Sequence, residues 1–167
     1  MIKENEILFS EKQHFSPWIV WGTLLVAVLP LFFGLYSYWQ GATTGSNMGK
    51  ATLFVVTAIV LLITALLSSS KLETVIKREG VEVRLFPFQQ TFRKFAWEAI
   101  DTVSVRRYNP ILEYGGWGLK GFANDRALNM RGDIGMQLVF KNGERLLIGT
   151  EKPEELKEIL SKLQMFR

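Results

Sequence analysis

Few residues in this chain have the type and spacing needed for chemistry. Glu113, Asp125 and Asp133 are carboxylates in or beside loops of the C-terminal part, where an acid and a base would have to be held at a working separation. Nothing in the sequence fixes that separation, and acids on loops are ordinarily solvated. Glu113 has a second possible use, an ion pair with Arg107 or Arg126 that would hold the segment from Tyr108 to Trp117 in place. Gly116, Gly118 and Gly121 match the pattern G-x-G-x-x-G. That pattern binds a dinucleotide only between a strand and a helix. Here the flanking residues read as a β-hairpin, so the glycines are expected to relieve a twisted strand. His14 is the single histidine and has no second ligand beside it, and the chain has no cysteine. Thiolate metal sites, disulfides and cysteine nucleophiles are therefore excluded. No catalytic residue, metal or cofactor is assigned.

What remains is recognition. The segment from Tyr108 to Asn124 concentrates aromatic residues among glycines, and such loops on small β domains commonly carry binding. Tyr108, Glu113, Tyr114 and Trp117 are its candidate interaction residues. Two readings stay open: the rings anchor a partner, or Tyr114 and Trp117 fill the domain's interior. Lys71, Lys77, Arg78 and Arg84 are candidate contacts to an anionic lipid surface, interrupted by Glu79 and Glu82. That interruption argues against specific inositide binding. A net charge of +4 without a concentrated basic patch gives no case for nucleic acid.

These residues need elements to hold them. Phe15 to Gly49 contains no Asp, Glu, Lys or Arg, and neither does Ala51 to Ser70, with Lys50 between. A charge at a bilayer centre costs about 2.5–3.5 kcal/mol on insertion scales, so the two runs are expected to form a membrane helical hairpin over 17–70. Spans of about 17–39 and 49–69 are expected from the apolar lengths. Ser16-Pro17 opens the first helix, Trp18, Trp21, Tyr36, Tyr38 and Trp39 sit near its ends, and Pro30 should kink it. The connector Gln40–Lys50 reads as an exposed loop, so its G-x-x-x-G spacings are not a dimerisation motif. The N-terminal run is too long, and its flank too acidic, for a cleaved signal peptide. Basic residues cluster after Ser70, which places residues 1–16 as a cytoplasmic tail and both termini in the cytoplasm.

Beyond Ser70 the pattern has period two. Val81, Val83 and Leu85 alternate with Glu82 and Arg84 after a turn at Glu79-Gly80; Phe92–Ala96 and the region of Val103 and Val105 continue the series. Gly116–Lys120 pairs with Arg126–Met130, and Ile134–Phe140 returns through Asn142-Gly143 to Leu146 and Ile148. Pro153-Glu154-Glu155 opens a final helix whose Leu156, Ile159, Leu160 and Leu163 form one apolar stripe. The expectation is a mainly-β domain over 71–167, an antiparallel barrel or sandwich capped by this amphipathic helix.

Two spans followed by such a domain resemble bacterial membrane proteins with a pleckstrin-homology-like (PH-like) domain. Trp97-Glu98-Ala99-Ile100, Ile148-Gly149-Thr150 and Pro153-Glu154-Glu155-Leu156 carry the similarity. Tyr108-Asn109-Pro110, Glu113, Gly115-Gly116-Trp117-Gly118 and Asn129 are similar to a bacterial family of this type with unassigned function. The resemblance implies an inner-membrane protein and brings no catalytic residues. The expected function is a membrane-tethered, non-catalytic interaction or scaffold module that binds a protein or an anionic membrane surface, assembling with membrane proteins or further copies of itself. The alternatives are a small membrane-bound enzyme using Glu113 or Asp125 near Trp117, and a subunit of an oligomeric channel.

Overall fold

The computed structural model describes residues 6–39, 47–122 and 124–164. The chain divides into two compact units, a β domain of residues 1–14 and 70–167 and a helical pair of residues 15–69. The helical pair is therefore an insertion within the β domain.

In the pair, α1 (Pro17–Trp39) and α2 (Asn47–Ser69) pack on each other through small side chains. A Cβ added to Gly34 would lie 2.9 Å from a Leu53 methyl. Ala27, Thr57 and Thr64 are the buried positions among the described side chains of the pair. Small residues at the contact let the two helix backbones approach closely. Thr64 Oγ1 donates back to Val60 O at 2.9 Å, which satisfies a hydroxyl on an otherwise apolar helix. The outward side chains, Phe32, Phe33, Leu35 and Phe54 among them, are exposed hydrocarbon. Among the described residues, Pro17–Tyr36 is long and apolar enough to cross a membrane, and Leu53–Ser69 is a shorter apolar helix. Most of the connector, residues 40–46, lies outside the described residues.

The β domain opens with a strand inside residues 1–16, where the sequence suggests a tail. β1 (Ile7–His14) pairs antiparallel with β2 (Lys71–Lys77), in register from Phe9↔Ile76 to His14↔Lys71, with a register shift between Ile7 and Phe9. Its alternation is short, and its inward residues are Phe9, Glu11 and Gln13. Two of the three are polar, which hides the strand from a hydrophobic pattern. β3 (Gly80–Phe86) and β4 (Arg93–Ala96) complete a four-stranded sheet in the order β1-β2-β3-β4. A turn of 3-10 helix at Trp97–Ala99 leads to the second sheet, and the buried Trp97 donates from Nε1 to Lys77 O at 3.1 Å.

The second sheet holds β5 (Ile100–Arg107), β6 (Gly118–Phe122), β7 (Asp125–Asn129), β8 (Ile134–Phe140) and β9 (Arg145–Gly149) in the order β5-β8-β9-β7-β6. Its one departure from the expected antiparallel pattern is the parallel pair β7–β9. Strand order inverts there because the β6–β7 hairpin folds back beside β9 rather than β8. Leu72, Ile76, Val83, Leu138, Leu147 and Ile148 are fully or nearly fully buried. α4 (Pro153–Lys162) adds Leu156 and Leu160 to the core, as its stripe required.

Candidate interaction site

Between β5 and β6 the expected long loop is a built structure. α3 (Pro110–Tyr114) is a single helical turn, and both of its ends are closed. The Asn109 side chain accepts from Ile111 N at 3.1 Å and Leu112 N at 3.0 Å, while Glu113 Oε1 accepts from Asn109 N at 2.7 Å. This reciprocal pair satisfies the amides that a helix start leaves free. At the other end Gly115 takes a left-handed φ of 74° and closes on Ile111 O and Pro110 O. Isolated turns this short are unstable, so tertiary contacts must hold α3.

Two tyrosines supply those contacts. Tyr108 and Tyr114 are buried with Ala127 and Leu147, their rings meeting edge to face with centroids 6.1 Å apart. Asn129 Nδ2 donates to the Tyr108 hydroxyl at 3.0 Å, and Gly118 N donates to Asn129 Oδ1 at 2.9 Å. The Tyr114 hydroxyl lies 3.2 Å from Asp125 Oδ1 and receives from Arg106 Nη2 at 3.3 Å. Burial first, then neighbouring carboxylates, raise both phenols above their usual pKa, so they remain neutral donors and acceptors. Tyr114, one of the two rings expected either to anchor a partner or to fill the interior, is buried, and Tyr108 is buried beside it.

Glu113 pairs with Arg106 at 2.8 Å, not with Arg107 or Arg126. Alternation decides this: Arg106 also donates to Gln137 and Tyr114, on the side of β5 where α3 docks. Arg107 pairs with Asp133 at 3.0 Å and Arg126 with Glu144 at 3.5 Å. The Arg106 hydrogen bond and the Asn109 N–H hold Glu113 below its usual carboxylate range. The charged Glu113 thus links Arg106 on β5 to the start of α3. Asp125 receives the Tyr114 hydroxyl and takes no part in that pair. Among the described residues no cluster of three or more His, Asp or Glu side chains is placed to hold a metal ion.

Trp117 is only partly buried. It borders a shallow, open depression of about 440 Å³ with Arg107, Tyr108, Pro110, Ile111 and Asp133. The side chains that α3 offers to solvent are Ile111 and Leu112, 62% and 84% exposed. Sequence reasoning missed both, because it weighed the aromatic and charged residues of the segment and not its aliphatic ones. The usable signal was the cap sequence Asn109-Pro110…Glu113…Gly115, which marks a helical turn in place of an irregular loop. Gly121 sits at φ 93°, and a Cβ there would lie 2.1 Å from Asp125 O, so this glycine serves the β6–β7 hairpin.

The four lipid-surface candidates are divided among three carboxylates. Lys71 and Arg84 gather with Lys12 around Glu73, and Lys77 pairs with Glu82 at 3.1 Å. Arg78 stands in the β2–β3 turn and pairs with Glu6 at 3.2 Å.

The family described as one of unknown function (DUF6141) matches residues 2–166. The chain belongs to that family. No curated protein and no solved structure matches it. The match takes in the β1 segment and α4 alike, so the inserted helical pair is part of the family's own architecture.

Proposed function

We propose that the protein is a non-catalytic, membrane-tethered interaction module whose α3 turn docks a protein partner on the cytoplasmic side of the inner membrane. One observation carries the docking role. Two caps, an ion pair and two buried tyrosines hold a five-residue turn whose outward products are Ile111 and Leu112. Rigid, exposed apolar side chains on a fixed support suit insertion into a partner's apolar groove, since little ordering entropy is lost on binding.

The tether follows from pairing and composition. β1 and β2 are hydrogen-bonded neighbours, so the chain between them crosses a bilayer an even number of times or not at all. α1 has the length and hydropathy for a span, and if it crosses, α2 must return. At about 1.5 Å per residue, the 23 residues of α2 reach a hydrocarbon core of about 30 Å. The exposed hydrocarbon on both helices favours lipid as its solvent. Basic residues on the β domain favour a cytoplasmic location for it. Two sheets closed by a C-terminal helix support the PH-like assignment, with the parallel β7–β9 pair as a departure.

Site-specific photo-crosslinking in intact membranes tests the docking role. A photoreactive residue at Ile111 or Leu112 should yield the same adduct, and one at the exposed Ser161 should not. An adduct of twice the chain mass would identify the partner as a second copy. No adduct at either position would remove the proposal.

A further inference from the structure

At one end of the four-stranded sheet, Lys12, Glu73 and Arg84 share a register row, and His14, Lys71 and Phe86 share the next row but one. Glu73 is buried, and three cations reach it: Lys12 at 3.6 Å, Lys71 at 3.2 Å and Arg84 in direct contact. Three cations on one carboxylate leave a net positive cluster. Aromatic rings stand among them, with Lys71 Nζ 5.6 Å from the Phe86 centroid and the Arg84 guanidinium 4.6 Å from that of Phe92. The loop between Phe86 and Phe92 is pinned by Gln89 N to Leu85 O at 2.7 Å and by Arg84 Nη1 to Gln90 O at 3.3 Å. Phe88, within that loop, is 67% exposed.

The occupant follows from covalent reach. His14 precedes α1 by only Phe15 and Ser16, and Lys71 follows α2 by only Ser70. Each intervening residue spans at most about 3.6 Å. If the helices cross a bilayer, this end of the sheet is therefore held close to the lipid surface. An exposed aromatic side chain beside clustered cations matches that environment, where rings enter the acyl boundary and ammonium and guanidinium groups meet phosphates.

We propose that the Phe86–Phe92 loop is a membrane wedge in which Phe88 enters the lipid boundary while Lys12, Lys71 and Arg84, gathered by Glu73, bind the phosphates of an anionic leaflet. The proposal rests on the reading that α1 and α2 span the membrane. It adds a third attachment, one that would fix the domain's tilt and hence the direction in which α3 faces.

The chain has no cysteine, so Phe88→Cys carries one environment-sensitive fluorophore in the full-length protein reconstituted in lipid nanodiscs. Glu79→Cys, at the opposite end of the same hairpin, is the reference. A shallow nitroxide lipid should quench most of the emission at position 88 in phosphatidylserine-containing discs and leave position 79 unquenched. Lys12→Gln with Lys71→Gln, which keeps the Arg84–Glu73 pair, should abolish the difference between anionic and neutral discs while the domain still melts cooperatively. Equal quenching of position 88 in anionic and neutral discs would overturn the headgroup role. Absence of quenching at position 88 in a protein that resists carbonate extraction would overturn the wedge and leave the spans standing. Release by carbonate would overturn the spans and the wedge together.

Discussion

His14 and Lys71 face each other across the β1–β2 ladder, although the whole helical pair lies between them in the chain. β1 is consequently a structural strand of the C-terminal domain. The isolated segment 70–167 should lack cooperative unfolding, because it loses Phe9, Gln13 and the Glu11 contacts to Thr150 and Glu151. Joining residue 14 to residue 70 by a short Gly/Ser linker in place of 15–69 should restore a cooperative melt by circular dichroism. A cooperative melt in segment 70–167 alone would show β1 to be dispensable.

The same pairing constrains topology. A cysteine at Ser46, outside the described residues, and another at Ser161 should differ in labelling by an impermeant reagent on intact cells, with only the first reacting. Labelling at Ser161 alone would reverse the orientation, and labelling at neither would remove the external connector.

Glu11 gives the domain a pH signature. Burial raises its pKa, and this outweighs the hydrogen bonds from Thr150 Oγ1 and Glu151 N, each 2.7 Å, that favour the carboxylate. The folded state therefore holds a proton on Glu11 more tightly than the unfolded chain does. Its stabilising contribution is full below the ordinary carboxylate value and fades as pH rises through the raised one. Glu11→Ala leaves the buried Thr150 hydroxyl and the Glu151 N–H without their partner, a loss of about 1–3 kcal/mol. Its deficit against wild type should shrink as pH rises through that window. Parallel stability curves in urea titrations at several pH values would refute this.

Glu73 has the opposite sign. Burial pushes its pKa up, but hydrogen bonds from Arg84 and Lys71 prevail and hold it down. Its contribution is present above the ordinary carboxylate value and is lost as pH falls through the depressed one. Glu73→Gln should flatten the acid limb of the stability curve, and an unchanged acid limb would count against the cluster.

Leu160 is fully buried under α4. Leu160→Asp should cost several kcal/mol through an unpaired buried charge and abolish the cooperative melt of the joined domain. An unchanged melt would mean that α4 does not cover the core.

Gly121 and Gly143 provide a controlled pair. Both hold positive φ, but a Cβ meets backbone 2.1 Å away at Gly121 and nothing within 4 Å at Gly143. Alanine at Gly143 should cost about 1 kcal/mol for the left-handed backbone alone. Alanine at Gly121 should cost clearly more, because the β6–β7 ladder must open. Equal melting shifts would refute the steric argument.

Sequence alone determined what depends on neighbours along the chain. Charge-free runs give apolar helices, period-two alternation gives β3 and β8, Asn142-Gly143 gives a hairpin, and the i, i+3, i+4, i+7 stripe gives α4. These are local periodicities, and burial rewards them in any fold that covers one face. Tertiary structure decided the rest. β1 was illegible because its inward Glu11 and Gln13 look like exposed residues until Thr150 and Gly149 are brought to them. The Glu113–Arg106 pair depends on which side of β5 meets α3, and the parallel β7–β9 contact depends on how a hairpin folds back across the sheet. Tyr114 became core and Leu112 became surface for the same reason. The turn that carries them has two sides, and only the sheet beneath it selects the side that is buried.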